Sequence, residues 1–271
     1  MQPAPALPPG ATPWRQVTAA ELAGVRGVFT DIDDTLTRDG AIEPEALAAL
    51  QALARANIPV MAITGRPAGW SEPFALAWPV AAIVAENGGV MLRRDAAGGL
   101  RRDFAQPHDE RAANLGRLRA CAEAVLREVP GATLARDSAG RLTDIAVDHS
   151  EFAHLGAAQI ERVLALMRAH GLVATVSSIH VNGWIGQHTK WTAAQWAVAE
   201  LGLGGLVPHA WLYVGDSTND QLMFERLPLS VGVANIARFW ADLQIRPRYV
   251  TQAERGQGFA EVAARLTGLA R

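Results

Sequence analysis

Short, nearly unbroken apolar runs recur along this chain: GVFT at 27–30, IPVMAIT at 58–64, VAAIVA at 80–85, WLYVG at 211–215 and LSVGV at 229–233. A strand with water on one face alternates apolar and polar residues, whereas runs like these bury both faces. Helical stretches separate them. After the first run, Pro44 suits an opening helical turn, and Leu47, Leu50 and Ala54 repeat at helical spacing before IPVMAIT. Strand, helix, strand units of this kind build a parallel sheet with helices on both faces. Upstream, Thr18 and Glu21 have the spacing of a capping box on a short helix that leads into the run at 27.

The middle of the chain reads differently. Over 109–129, Leu115, Leu118, Ala122, Val125 and Val129 step by three and four, which predicts an amphipathic helix. Ile160, Val163, Leu164 and Met167 mark a second helix that ends at Gly171. Two accompanying strands alternate. In LTDIAVDH, Asp144, Ala146 and Asp148 share one face and Ile145 and Val147 the other; in VSSIHVNGW, Ser178, His180 and Asn182 oppose Ile179 and Val181. Each is expected to bury its apolar face and leave its polar face to water or a ligand. With 271 residues, 49% of them hydrophobic, the chain can bury a main core and a smaller second one. The expected organisation is a flexible Pro-rich tail at 1–13, an α/β core from 14–90 and 187–271, and an inserted α+β domain at 91–186.

Ligands of an open parallel sheet bind at the carboxyl ends of its strands. Asp31 and Asp33 follow the first run, Thr64 and Arg66 the second, Asn87 the third, and Asp216 and Asp220 the fourth, while Lys190 opens the helix in HTKWTAAQW. Carboxylates gathered in one cleft repel unless a cation offsets them. Mg²⁺, which takes a few carboxylates and keeps several waters, suits Asp31 and Asp216. With that charge in place, Asp31 can approach a phosphate as a nucleophile, and Asp33 can protonate the leaving oxygen and later deprotonate water. Lys190 and the Thr64 hydroxyl would stabilise the transferring oxygens. Singly, each residue has an ordinary role as a cap, a turn or a solvated side chain; their order and placement together carry the argument. A calcium loop is excluded, because its sixth position requires Gly and Leu36 stands there.

The ordered set DIDDTLT, ITGRP, Lys190 and GDSTND resembles the four motifs of the haloacid dehalogenase-like superfamily of phosphohydrolases. The insertion entered through VAENGG, and the ending SVGVANIARF with YVTQAERGQGFAEVAARL, are similar to class IIB, the Cof-type and sucrose-phosphate phosphatase-like enzymes. The resemblance spans Val25 to Leu266. It implies a Rossmann-like core with an α+β cap, Asp31 as nucleophile and Asp33 as acid/base. It also implies Thr64 and Lys190 as phosphate-binding groups, and a Mg²⁺ held by Asp31, the Asp33 backbone carbonyl and Asp216. Asp220 is then a metal-shell or supporting acid. The implied substrate is a small phosphorylated metabolite of the sugar-phosphate kind. Arg66 and Asn87 beside the motifs, Ser178, His180 and Asn182 on the cap strand, and Asn219 within GDSTND are its candidate contacts. Many relatives have Gly where Asp34 and Trp191 stand, and Asp34 has no role on these grounds. A phosphomutase or phosphotransferase using the same aspartate, or a non-catalytic binding protein, are the alternatives.

A formal charge of −2 and a pI near 6.4 give no basic surplus for a phosphate backbone, so no nucleic-acid partner is expected. Cys121 is the only cysteine, which removes disulfides and cysteine-rich metal sites and fits a reducing, cytoplasmic setting. The opening MQPAPALPPGATP lacks the features of a signal peptide, and no apolar run approaches the length of a membrane span. Trp184, Trp191 and Trp196 are candidates for stacking on a sugar or for packing at the domain junction.

Overall fold

A computed structural model describes residues 7–269. Its strands, in chain order, are β1 (Gly27–Thr30), β2 (Thr37–Arg38), β3 (Ala41–Ile42), β4 (Val60–Ile63), β5 (Ala82–Ala85), β6 (Val90–Arg94) and β7 (Leu100–Phe104). They continue with β8 (Thr133–Leu134), β9 (Asp144–Asp148), β10 (Val173–Val176), β11 (His180–Trp184), β12 (Trp211–Gly215), β13 (Leu229–Gly232) and β14 (Tyr249–Val250). The helices are α1 (Ala19–Leu22), α2 (Pro44–Arg55), α3 (Ala68–Ala77), α4 (His108–Glu128), α5 (Ala157–Ala169), α6 (Lys190–Glu200), α7 (Gln221–Arg226) and α8 (Arg255–Leu269).

The main sheet has the order β14-β13-β12-β1-β4-β5-β6-β7. From β14 to β5 every pairing is parallel. The two-sided burial expected from the apolar runs holds residue by residue. In β1, Val28 packs among α2 and α8 residues such as Leu50, Leu53 and Val262, whereas its neighbour Phe29 packs on the opposite face with Ala194, Val198 and Met223 of α6 and α7. Alternate side chains of a strand point to opposite faces, so an apolar run here feeds two hydrophobic layers at once. Pro44 occupies the first turn of α2, and the Thr18–Glu21 capping box on α1 is formed on both sides. The chain winds from β1 to β4 and β5 on one side, then returns to β12, β13 and β14 on the other. The switch point of the sheet thus lies between β1 and β12.

β6 and β7 add to the main sheet as antiparallel strands, so the expected boundary at residue 91 falls inside a core strand. The hairpin from β5 to β6 turns through Gly88, whose φ is +116°, and Gly89, where a Cβ would lie 2.1 Å from Thr143 Oγ1. Such a turn folds the chain back onto the sheet before the insertion begins. Of the expected N-terminal tail, residues 1–6 lie outside the described residues. From Pro9 on, the chain is held: Trp240 Nε1 donates to the Pro9 carbonyl at 3.1 Å, Val250 N to the Thr12 carbonyl at 2.9 Å, and Pro13 bridges Val250.

The inserted cap is a four-stranded antiparallel sheet, β10-β11-β9-β8, with α4 and α5 on one face. Its own core joins Leu118, Cys121, Val125, Val147, Val163, Met167 and Val181. Leu115, expected in that stripe, is exposed, and Asn114 is buried beside it. Ser178 was expected on the strand with His180; it lies instead in the turn between β10 and β11, because β10 runs only to Val176 and pairs with Val181. The polar face of the sheet was expected to be left to water or a ligand. Asp144, Ala146, Asp148, His180 and Asn182 are instead all buried, because that face docks on the core and its polar groups find partners there.

Candidate active site

Asp31 leaves the carboxyl end of β1 and Asp216 that of β12, side by side across the switch point. Lys190, the first residue of α6, reaches between them. Its Nζ donates to Asp31 Oδ1 at 2.8 Å and to Asp220 Oδ1 at 2.7 Å, and all three groups are buried. Asp220 has both oxygens occupied: Tyr213 donates a short hydrogen bond to Oδ1, and the amides of Asp216 and Ser217 donate to Oδ2 at 2.9 and 3.1 Å. Asp220 therefore anchors Lys190 and the loop after β12. Tyr213 is a member of this cluster that the sequence pattern did not single out, since within WLYVG it reads as one more apolar strand residue.

Asp216 Oδ2 accepts from Asn235 at 3.2 Å and from Arg238 at 3.4 Å, while its Oδ1 is buried with no partner. One oxygen from each of Asp31, Asp216 and Asp220 lies within 4.8 Å of the others. A buried carboxylate oxygen without a donor costs free energy unless something fills its place. An all-oxygen donor set beside such an orphan fits a hard divalent cation, with Asp31 and Asp216 as the residues free to hold it. Burial, reinforced by the charges of Asp220 and Asp33 and opposed by Lys190, pushes Asp31 up to about 7. Burial and the neighbouring Asp31 likewise raise Asp216 well above the ordinary carboxylate range, and a cation would reverse both.

Asp33 turns away from this cluster. Arg66 Nε donates to its two oxygens at 2.9 and 3.0 Å, and the same guanidinium reaches into the cap to Asp137 at 3.1 Å and Glu151 at 2.8 Å. His180 Nε2 meets Glu151 at 3.0 Å. Burial raises the Asp33 carboxyl, with Arg66 pulling the other way. Burial also works on Glu151, but hydrogen bonds from His180 and Arg66 prevail and take it down to about 2. Thr64 is fully buried at the end of β4, its hydroxyl accepting from the Arg66 amide at 3.0 Å. Asn87, in the left-handed region at φ 54°, keeps its Nδ2 buried and without a partner beside Gly65.

Two further residues fasten the cap. Glu86, also left-handed at φ 53°, is completely buried; its carboxylate accepts from the amides of Ala68, Leu142 and Thr143 and from the Thr143 hydroxyl. Arg141 pairs with Asp144 at 2.8 Å and donates to the Gly65 carbonyl at 3.0 Å, and Asn182 Nδ2 donates to the same carbonyl at 3.1 Å. Asn182 and Arg66, expected to meet substrate, are thus engaged in holding cap to core, and His180, expected to do the same, steadies the Glu151 that meets Arg66. Glu86 and Arg141 escaped sequence reasoning because their partners lie far along the chain.

Asp34 sits on the other side of the turn. Its left-handed backbone, φ 53°, aims the carboxylate outward, where Arg255 Nε meets it at 2.6 Å and Arg238 at 3.0 Å, and Asn235 Nδ2 donates to its carbonyl at 2.9 Å. Burial opposes ionisation, but the two guanidinium groups hold it below the usual range. Asp34 therefore pins the segments before β14 and at the start of α8 to the turn after β1. A cavity of about 380 Å³ opens here, lined by Asp33, Asp34, Arg66 and Arg255 from the core and by Glu151, Phe152 and Ser178 from the cap. Asn219 lies apart from it, its side-chain oxygen accepting from Ser217 at 2.8 Å. Trp184 is buried against His188, and Trp191 and Trp196 pack on the core cluster under α6.

With this geometry in hand, comparison with known proteins is informative. Residues 28–102 match the family of haloacid dehalogenase-like hydrolases. That segment carries Asp31, Asp33 and Thr64. The fold of the whole chain is similar to a Thermoplasma acidophilum crystal structure, at 18% identity over 90% of this chain and 99% of that one, with a TM-score of 0.69. It is similar to the sucrose-phosphatase of Synechocystis crystallised with sucrose and phosphate, at 18% identity over 89% and 98%, TM-score 0.64. A subclass IIB sugar phosphatase aligns at 14% identity over 90% of this chain and all of its own, TM-score 0.61. Core and cap together thus share the fold of these structures. No curated protein sequence gives a significant match. No helix among the described residues is long and apolar enough to cross a membrane.

Proposed function

We propose that this protein is a Mg²⁺-dependent phosphomonoesterase that acts on a small phosphorylated metabolite, a sugar phosphate, through an aspartyl phosphate on Asp31. The observation that carries this reading is Asp31 at the end of β1, gripped by Lys190 and facing the unpartnered Oδ1 of Asp216, with Asp33 two residues on. A carboxylate oxygen of Asp31 attacks phosphorus, the bond from phosphorus to the ester oxygen breaks, and that oxygen takes the proton of Asp33. Raised by burial, Asp33 is suited to carry the proton, and Arg66 stabilises the carboxylate left behind. Asp33 then accepts a proton from water, which attacks the phosphorus, frees phosphate and restores Asp31. Lys190, Thr64 and the free Nδ2 of Asn87 surround the place where the phosphoryl oxygens gather. Asp31, the Asp33 carbonyl and Asp216 would hold the Mg²⁺, whose charge lets a carboxylate approach an anionic phosphate. Asp220 supports them through Lys190.

The test is phosphate release from a panel of sugar phosphates, nucleotides and phosphorylated acids with Mg²⁺. Turnover should disappear on chelation and fall about a thousandfold or more in Asp31→Asn, as removal of a nucleophile does. Equal activity in wild type and variant would remove Asp31 as nucleophile. An isomerised sugar phosphate without free phosphate would replace hydrolysis by a mutase reaction.

A further inference from the structure

The segment 149–153, between β9 and α5, is a short irregular loop at the mouth of the cavity beside Asp33. Few loops of this length are so completely fixed. Asp148, buried at the end of β9, accepts four consecutive amides: Ser150 at 3.1 Å and Glu151 at 2.8 Å on Oδ1, Phe152 at 2.9 Å and Ala153 at 3.1 Å on Oδ2. His149 and Ser150 tie the loop to the neighbouring turn through the carbonyls of Ser177 and Ser178, at 3.0 and 2.9 Å. Glu151 is locked to Arg66 and His180. In the midst of this scaffold Phe152 is left 53% exposed and lines the cavity, with the Arg136 guanidinium 3.7 Å from its ring centre.

An exposed aromatic ring alone is unremarkable on a surface. Here the backbone that carries it is held by a carboxylate able to serve four donors, and the ring itself is steadied by a cation, so the position is pre-organised at no gain to the cap core. Pre-organisation of an apolar face at a polar cavity mouth is what binding of a rigid partner exploits, because neither side loses much freedom on contact. Most of the remaining lining is polar, with Asp33 and Glu151 paired to Arg66 and Asp34 to Arg255, and suits hydroxyl groups.

Resting on the phosphatase reading, we propose that Phe152 is a platform for the leaving group and that the Asp148-anchored loop selects phosphate esters of cyclic alcohols over acyclic ones. A sugar ring offers a flat set of C–H bonds to the aromatic face and hydroxyls to the charged rim. A flexible polyol or hydroxy acid must be ordered to do the same, at a cost in rotamer entropy. The cavity, about 380 Å³, is at the small end of the roughly 300 to 1,000 Å³ typical of ligand sites, which fits a leaving group of monosaccharide size.

The experiment compares kcat and KM for glucose 6-phosphate and ribose 5-phosphate with those for glycerol 3-phosphate, in wild type, Phe152→Ala and Phe152→Tyr. Phe152→Ala should raise KM for the cyclic esters about tenfold more than for the acyclic one while kcat changes little, and Phe152→Tyr should restore the difference. A loss of the same size for both classes, or none, overturns the proposal. Calorimetric binding of glucose 6-phosphate with Mg²⁺ to Asp31→Asn, with and without Phe152→Ala, separates the platform from the chemistry. Binding weakened by Phe152→Ala upholds the platform even if the wild type releases no phosphate, a result that would sink the phosphatase reading alone. Binding unaffected by the ring's removal, or no binding, overturns the platform. The half-exposed ring takes no part in the cap core, and an unchanged unfolding midpoint confirms that the variant is folded.

Discussion

Two buried clusters of charge stand a few residues apart in this molecule, and they are built differently. Around Asp31 the acids outnumber the cations: Asp31 and Asp220 share Lys190, Asp216 has only Arg238 as a cation, at 3.4 Å, and an oxygen of Asp216 has no partner among the described residues. At the junction of cap and core, Asp33, Asp137 and Glu151 converge on Arg66, Asp144 on Arg141, and Glu86 on a set of amides and a hydroxyl, with the carboxylates provided for. The first cluster keeps an unfilled acceptor, the feature on which the proposed phosphatase reading rests. The second is nearly self-satisfied and holds the cap down over the first. Acids outnumber cations in both clusters; what separates them is that the first leaves a buried carboxylate oxygen without a donor, whereas the second gives its carboxylates donors.

The contrast predicts unequal responses to substitution. Lys190→Met should have the largest effect, removing the one cation between two buried acids; breaking such a pair costs about 3 to 5 kcal/mol. Denaturant unfolding should report that loss, and added Mg²⁺ should recover part of it by replacing the charge. Glu86→Gln comes next. Whichever way the amide turns, its NH₂ faces backbone donors, a mismatch worth about 1 to 3 kcal/mol. Hydrogen exchange at the Leu142 and Thr143 amides should quicken while the amides of β1 and β12 stay protected; uniform acceleration would mean that Glu86 is no separate latch.

Acid offers a gentler probe of the same junction. Glu151 ordinarily titrates near 4.5 and is held at about 2 in the folded protein. A depressed carboxyl contributes stability above its unfolded value and loses it as pH falls toward the folded one. The stability difference between wild type and Glu151→Gln should therefore be constant above about pH 5 and shrink between roughly 4.5 and 2. A difference independent of pH through that window would mean that Glu151 is not ionised against Arg66 and His180. Smallest of all should be Asp34→Gly. The variant loses the exposed pair with Arg238 and the less exposed one with Arg255, while glycine relieves a left-handed backbone, so the net loss of stability should stay within about 1 kcal/mol.

Much of the core was legible from the sequence because its signals are local. Five apolar runs foretold β1, β4, β5, β12 and β13, and with them that Asp31, Thr64 and Asp216 follow the carboxyl ends of β1, β4 and β12. The cap was legible as a class but not in its orientation. Alternation in LTDIAVDH separates two faces correctly, yet nothing in it tells whether the polar face meets water or another part of the chain. β6 and β7 show the same limit, since VMLRR and LRRDF gain their place in the main sheet only through the turn at Gly88 and Gly89.

The sequence by itself determined the parallel α/β core, the inserted cap, the acids at the strand ends and the lysine at the start of a helix. Periodicity and motif order are properties of neighbouring residues, and they survive without knowledge of the fold. Only the tertiary structure decided that Asp220 is an anchor whose oxygens are already taken, that Asp34 joins Arg238 and Arg255, and that Asn182 closes the cap while His180 steadies Glu151. A buried polar group is defined by whichever partner desolvation leaves it, and those partners lie up to some 221 residues away along the chain.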